Sequence, residues 1–330
     1  MEKMKIKNVL VTGASGKVGR NTIPELIKAG YKIRALQYET PVSFPGVEVV
    51  KGDLGDPKIA KKLVEDMDAV VHLANVKENK EKFLKANING TFYLLDAIKE
   101  SKSVKQLVQA GSDARAGIYF NPRPYVIDEN FPHSAYPGYY AFSKVLEETM
   151  CEQFRIQYGL PITILRFSWV HDEDDILVHA TLKEPNFGIP VWKDLAKAAK
   201  QKEFFKKKLD GAALLRHTNG KPCMRHIVGI KDVVQSVVIA VGNQASIGHA
   251  FAVCAPAPFT YDVLANYVSE RLSIPVVEFT YDKYNDFQHS LAKSRSILGY
   301  KPEYDIIKIV DDAAAFRKSG RKRTRLKYPG

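Results

Sequence analysis

Val9-Leu10-Val11-Thr12-Gly13-Ala14-Ser15-Gly16-Lys17-Val18-Gly19 decides the fold of this 330-residue chain. An apolar run ends in a glycine-rich turn that opens a helical segment, so backbone N–H groups and the positive helix end converge where a pyrophosphate could sit. Thr12 stands where the turn begins, Gly16 lets the backbone approach phosphate, and Gly19 lets the helix lie close to the strand. The spacing, G-x-x-G-x-x-G, is tighter than the usual G-x-G-x-x-G, and a tight strand-to-helix turn without a ligand is the competing account.

Working outward, short apolar runs alternate with segments of helical period. Strands are expected near Val9–Thr12, Ile33–Leu36, Val47–Lys51, Ala69–Leu73, Gln106–Ala110 and Ile162–Arg166, with another near His249–Cys254. Helices are expected near Lys17–Ala29, Pro57–Asp66, Lys82–Lys99 and Tyr139–Tyr158. This βαβ alternation predicts an α/β fold, a doubly wound parallel sheet of Rossmann type. The pattern breaks after Arg166, which predicts a smaller lobe split in sequence. Residues 1–168 and 226–256 are assigned to the dinucleotide-binding domain, and 169–225 and 257–330 to a substrate lobe.

Composition bounds the function. Hydrophobic residues make up 45% and charged residues 26%, and no apolar run approaches the roughly 20 residues of a membrane-spanning helix, so no membrane role is expected. Met1 to Lys7 carries neither an apolar core nor a small-residue cleavage site, which points to the cytoplasm. Cys151, Cys223 and Cys254 are odd in number and far apart, as buried reduced thiols would be, and no metal site is expected. The net charge is +12, but the tail from Phe316 to Gly330 supplies seven cations, Arg317, Lys318, Arg321, Lys322, Arg323, Arg325 and Lys327, without which it falls to +5. A solvated tail is expected, the alternatives being a lid over an anionic substrate or a polyanion contact; no nucleic-acid partner is expected. Lys193 to Lys208 reads as an amphipathic helix with lysines facing water, although its place in the substrate lobe keeps an anionic ligand in view.

Tyr140-Ala141-Phe142-Ser143-Lys144 adds chemistry to the glycine turn. Four residues apart on a helix, Tyr140 and Lys144 share a face, and a nearby cation lowers a phenol pKa from about 10 toward working pH. Tyr304 and Lys308 repeat the spacing beside Pro302, away from any strand end, and are read as structural.

With these motifs in order the chain resembles the extended branch of the short-chain dehydrogenase/reductase superfamily, the NAD-dependent epimerase/dehydratase family, which includes nucleotide-sugar epimerases, dehydratases and sugar dehydrogenases. Thr12 to Gly19 is similar to its cofactor fingerprint, Gly52-Asp53-Leu54 to its adenine-binding element, and His72-Leu73-Ala74-Asn75 to the loop beneath the nicotinamide ribose. Asn87-Ile88-Asn89-Gly90-Thr91 is similar to its V-N-x-x-G-T element, and Leu107 to Ser112 to the strand that ends in the catalytic hydroxyl. The resemblance implies catalysis by Ser112, Tyr140 and Lys144, with Tyr140 exchanging the carbinol proton, Ser112 binding the same oxygen, and Lys144 holding ribose. It implies cofactor contacts from Gly13, Ser15, Gly16, Lys17, Val18, Gly19, Gln37, Asp53, Leu54, Leu73, Ala74, Asn75, Asn87, Tyr140 and Lys144. Ser112, Arg166 and Arg225 are the implied substrate contacts, and a homodimer through the Lys82–Lys99 and Tyr139–Tyr158 helices is implied by analogy.

Departures narrow the reaction. Related dehydratases carry Thr-Asp-Glu where this chain has Ser112-Asp113-Ala114, which disfavours dehydration. Arg166-Phe167-Ser168-Trp169 replaces the epimerases' R-Y-F-N, weakening a nucleotide-sugar ligand, while Arg225 and Asp232 keep their R-x(6)-D spacing. Ser112 to Tyr119 followed by Ile127-Asp128-Glu129 is similar in layout to uronate dehydrogenases, in which case Arg115 or Arg166 holds a carboxylate or closes a loop. At the end of the second strand Gln37 and Tyr38 supply neither acid nor arginine, Glu39 is late and Arg34 early, so the cofactor is NAD or NADP with a slight preference for NAD. The expected function is redox at a carbinol carbon of a sugar or nucleotide sugar, with epimerisation leading, oxidation of a free sugar acid second, and a non-catalytic dinucleotide-binding regulator as the remote alternative.

Overall fold

The computed structural model describes residues 3–122, 126–183, 188 and 190–324. Its centre is a sheet of seven parallel strands. Strand β1 (Asn8–Thr12) leads through α1 (Lys17–Lys28) to β2 (Lys32–Gln37), then β3 (Glu48–Lys51), α2 (Pro57–Val64) and β4 (Ala69–His72). A one-turn α3 (Lys80–Lys82) continues as a π-helical turn, Phe83–Asn89, into α4 (Gly90–Glu100), followed by β5 (Gln106–Ser112), α5 (Tyr139–Tyr158) and β6 (Ile162–Phe167). The strand Ala250–Val253 closes the far edge beside β6. The order is β3-β2-β1-β4-β5-β6 and then Ala250–Val253, so the sequence direction reverses at β1/β4 and a crevice opens there beyond the carboxyl ends.

The strands read as apolar runs because both faces are covered. Val9, Leu10 and Val11 are fully buried, as are Ala69, Val70 and Val71. On one face Val9, Val11 and Val71 pack with Ile23 and Leu26 of α1 and with Val233 and Val237 of the helix Ile230–Ala240. On the other, Leu10 and Val70 pack with Leu63 of α2, Leu94 and Ile98 of α4 and Cys151 of α5.

A third core belongs to the lobe, built on Trp192, Phe279, Tyr261, Leu214 and Val310. Ala116, Tyr119 and Ile127, assigned from sequence to the dinucleotide-binding domain, pack into it, whereas Leu291, Leu298 and Tyr300, assigned to the lobe, pack under the sheet. The segment after β5 thus crosses to the lobe, and residues 291–300 return. The lysine-rich stretch forms two short helices, Trp192–Leu195 and Ala199–Lys207, that bury Trp192 and Phe204 while Lys193, Lys200, Lys202, Lys206 and Lys207 face water. Cys151, Cys223 and Cys254 are buried free thiols, and among the described residues no helix is long and apolar enough to cross a membrane.

Candidate active site

The glycine turn begins where β1 delivers its last residue. Gly13 takes φ +67°, and a Cβ there would lie 2.6 Å from Ala74 N, so the turn can pass the loop after β4 only without a side chain. Thr12 fixes that loop: its Oγ1 accepts from the N–H groups of Leu73 and Ala74, both at 3.2 Å, and lies 2.6 Å from His72 Nδ1. With both N–H groups directed at it, the Thr12 hydroxyl gives its own proton to Nδ1, and Nε2–H donates to Thr91 Oγ1 at 3.0 Å. Burial holds His72 down to about 3, a neutral strut.

One cleft of about 910 Å³, at the upper end of ordinary ligand sites, joins this turn to the carboxyl end of β5. Gly13, Ser15, Gly16, Lys17, Val18, Gly19, Asp53, Leu54, Leu73, Ala74, Asn75, Ser112, Tyr140, Lys144 and Arg225 all line it. Its turn end suits a pyrophosphate, because a Cβ at Gly16 would meet only Gly13 O, at 3.2 Å, and would otherwise fill the cradle.

Three expected contacts are not in the cleft lining. Gln37 folds back, its Oε1 accepting from Val42 N at 2.9 Å, and the lining there is Leu36, Tyr38, Glu39 and Thr40. Asn87 is fully buried behind the loop, where the π-helical turn rotates its amide inward to bridge Val76 N and O, each at 2.8 Å, and Ser143 Oγ at 3.1 Å. Arg166 turns to Glu148 and donates to Glu129 O at 2.7 Å. Arg115 is likewise committed to loop closure, donating to Phe131 O at 2.6 Å. Arg34 is held by Glu48 at 2.9 Å and by the carbonyl of Glu65 at 2.7 Å, away from the cleft. Tyr304 and Lys308 lie outside the cleft lining, as does Asp232, whose carboxylate receives the N–H groups of Glu303 and Tyr304.

Ser112, Tyr140 and Lys144 come together. Glu78 caps α5, accepting from the backbone N–H groups of Tyr139 at 2.9 Å and Tyr140 at 3.3 Å, which presents Tyr140 to the cleft beside Ser112. Lys144 Nζ lies 5.9 Å from the Tyr140 ring centroid and donates to Ala110 O at 3.1 Å and Glu147 Oε2 at 2.8 Å. The expectation that Lys144 brings the phenol down toward neutrality needs correction. Burial pushes Tyr140 up more strongly than Lys144 and Ser112 pull it down, and its pKa stands above the ordinary value.

Sequence reasoning passed over three neighbours. Lys77 lines the cleft with Nζ 4.7 Å from the Tyr140 ring centroid, and burial lowers it to about 8. Asp113 accepts from Ser168 Oγ at 2.8 Å and is raised by burial to about 6. Glu147 was legible as the residue one helical turn past Lys144. Tyr119, Phe120, Tyr136, Trp169 and Phe287 also line the cleft, and the Arg225 guanidinium lies 4.0 Å from the Trp169 ring centroid and 5.2 Å from that of Tyr119.

The tail is not simply solvated. Arg317 and Arg323 reach Asp174 at 2.8 and 2.9 Å, Arg323 also pairs with Asp175, and Thr324 bonds Glu173 and joins the cleft lining. The same acidic segment holds Lys17 through Asp175 at 2.6 Å and Arg20 through Asp172 and Glu173. Arg325 and Lys327 lie outside the described residues.

A seven-stranded parallel sheet with its cleft at the strand-order reversal defines the doubly wound α/β class of protein. The chain belongs to the NAD dependent epimerase/dehydratase family, whose model matches residues 9–254. It is 29% identical over 164 residues to a uronate dehydrogenase of Pseudomonas putida, covering 48% of this chain and 59% of that protein. It is 28% identical over 176 residues to a putative UDP-glucose 4-epimerase of Methanocaldococcus jannaschii, covering 50% and 56%, so these matches span little more than half of each relative. A UDP-N-acetyl-alpha-D-glucosaminuronate decarboxylase of Bacillus cytotoxicus is 26% identical over 256 residues, 73% of each chain. In fold, the chain is similar to a short-chain dehydrogenase/reductase superfamily protein from Agrobacterium tumefaciens crystallised with NAD, with TM-score 0.79 and 23% identity over 95% of this chain and 98% of that one. UDP-glucose 4-epimerase of Thermotoga maritima gives TM-score 0.73 at 18% identity over 95% and 99%.

Proposed function

We propose that this protein is an NAD-dependent oxidoreductase acting at a carbinol carbon of a sugar or nucleotide sugar, with epimerisation through a transient ketone as its reaction. The observation that carries this reading is the meeting of Ser112, Tyr140 and Lys144 in the same cleft as the Gly13–Gly19 turn. A bound nicotinamide supplies the hydride acceptor and donor. The backbone of the turn and Lys17 hold the pyrophosphate, and Asp53 and Leu54 flank the adenine end. Tyr140 takes the carbinol proton as the carbonyl forms and returns it on reduction, Ser112 Oγ binds the same oxygen, and Lys144 supplies positive charge beside the phenol. Ala114 stands where related dehydratases carry an acid, which disfavours dehydration.

Glu39 in the cleft, with Gln37 and Arg34 both engaged elsewhere, supports NAD over NADP. Arg225 among aromatic rings supports an anionic substrate. The uronate dehydrogenase relatives favour a second reading, oxidation of a free sugar acid, in which Arg225, which lines the cleft where Arg115 and Arg166 do not, is the carboxylate partner. A homodimer is supported by Leu84, Phe92, Phe142 and Ile156, apolar side chains exposed on the two segments expected to meet.

The test is absorbance at the reduced-nicotinamide band with NAD and with NADP, across free sugars, sugar acids and nucleotide sugars, with Tyr140→Phe as the blank. Isomer interconversion of a nucleotide sugar without net reduced cofactor supports the epimerase. Accumulation of reduced cofactor with a sugar acid replaces it by the dehydrogenase, and silence in both assays refutes both.

A further inference from the structure

Lys144 is not a lone cation. Glu147, one turn further along α5 and only 1% exposed, holds it at 2.8 Å. Two more donors from two other elements fix the same carboxylate: Asn75 Nδ2 of the loop after β4 at 3.0 Å, and Gln109 Nε2 of β5 at 3.3 Å. A buried carboxylate is costly unless paired, and this one is paired with the ammonium beside the proposed acid/base and with little else that carries charge. The next residue, Glu148, is separately engaged by Arg166, so the two acids have different tasks.

We propose that Glu147 is a positioning residue that sets the proton affinity of the Tyr140–Lys144 pair: it fixes the ammonium near the phenol and offsets part of its charge. The proposal rests on the reading of Tyr140 as the acid/base. The groups facing Tyr140 are Lys144 and Glu147 from its own helix, Ser112 and Asp113 from the end of β5, Lys77 and Glu78 from the loop after β4, and Tyr136 from the segment before α5. Around Glu147 itself stand Lys144, Ser143 and Cys151 on the helix, with Asn75 and Gln109 opposite, and neutral His72 lies near Lys144. Among them Glu147 is the carboxylate in contact with Lys144. It therefore lessens the pull of that cation on the phenol, in keeping with a Tyr140 pKa that stays above its ordinary value. Removing the negative charge makes the first proton leave the pair more readily, whichever member carries it.

The experiment is a pH titration of protein labelled with ¹³C at tyrosine Cζ, the resonance lost in Tyr140→Phe identifying the ring. In Glu147→Gln the Tyr140 midpoint is expected to fall by about 1 pH unit, roughly tenfold in proton affinity, and the basic limb of kcat/KM to move down with it. An unchanged or raised midpoint overturns the proposal. Glu147→Asp keeps the charge and the buried pair, so it serves where the Gln variant does not fold. Its midpoint is expected within about 0.3 units of wild type, and a fall of about 1 unit would assign the effect to packing and overturn the charge argument. The titration needs no substrate. A protein that turns over no sugar yet shows the shift refutes the activity alone, whereas turnover with an unmoved midpoint refutes the role of Glu147 alone.

Discussion

Alanine at Gly19 and alanine at Gly16 should fail in opposite ways. At Gly19 the added methyl would lie 2.3 Å from Gly13 O, 2.8 Å from Ala14 Cα and 2.9 Å from Ala14 O. All three are main-chain atoms of the turn, so no side chain can swing aside and α1 must move off β1. Overpacking of this kind costs up to about 3 kcal/mol, against a gain of about 1 kcal/mol from replacing a helical glycine, leaving a net loss of about 2 kcal/mol. At about 2.1 cal/mol/K of unfolding entropy per residue, that is a fall in Tm of roughly 3 °C for a chain of this size. At Gly16 the methyl meets only Gly13 O, at 3.2 Å, a strain that a shift of a few tenths of an ångström relieves. The same methyl stands in the cradle, so Gly16→Ala should keep Tm within about 1 °C and bind NAD at least about tenfold more weakly. Thermal unfolding by circular dichroism and NAD titration by the fluorescence of Trp169, which lines the cleft, read the two effects separately. Undiminished NAD affinity in Gly16→Ala would refute the placement of the phosphate at this turn, and equal destabilisation by the two variants would refute the packing argument.

Asp113 should make the fold less stable as pH rises. Its folded pKa, about 6, lies above the ordinary 3.9, so its stabilising contribution is complete below about pH 4 and is lost as pH passes through 6; Asp113→Asn should flatten that fall by up to about 3 kcal/mol, and an unchanged pH slope of unfolding would count against it. A chain ending at Ser319 should bind NAD about three- to tenfold more weakly while losing under about 1 kcal/mol of stability, because partly exposed ion pairs contribute little; equal affinity would remove Thr324 and Arg323 from any role at the cleft rim. Phe92, 44% exposed on α4, should lie in the dimer contact, so Phe92→Glu is expected to give a monomer by light scattering, and a wild-type monomer would defeat the analogy.

The fold was legible because its signals are local and periodic. Buried parallel strands must be apolar on both faces, and the turn after β1 must be glycine where backbone meets backbone, so both leave marks in the chain. The expected helix Tyr139–Tyr158 is observed with the same bounds. The segment Lys82–Lys99 is different in kind: its apolar period cannot distinguish an α-turn from the π-helical turn of Phe83–Asn89, whose extra residue carries Asn87 inward to the Val76 backbone. Gln37 was misplaced for a related reason, because a side chain that closes on its own loop, here onto Val42 N, looks in sequence like one offered to a ligand.

Charge was the least legible property, since a sequence counts ions and a fold pairs them. Arg166 read equally as a carboxylate partner or a loop closer until the fold set Glu148 of α5 against it, and the tail looked solvated because its partners are 143 to 151 residues away. The same logic limits what the cleft can offer an anion. Lys17 of the glycine turn is already held by Asp175 at 2.6 Å, and Lys82 by Glu39 at 3.2 Å. A pyrophosphate must therefore share or displace carboxylates, and the affinity it gains from each lysine is smaller than an unpaired ammonium would give. At the turn, Gly16 N–H already donates to Gly13 O at 3.0 Å, but a neutral carbonyl competes with phosphate less than a carboxylate does, which is why the turn's backbone rather than the lysines should dominate cofactor binding in this chain.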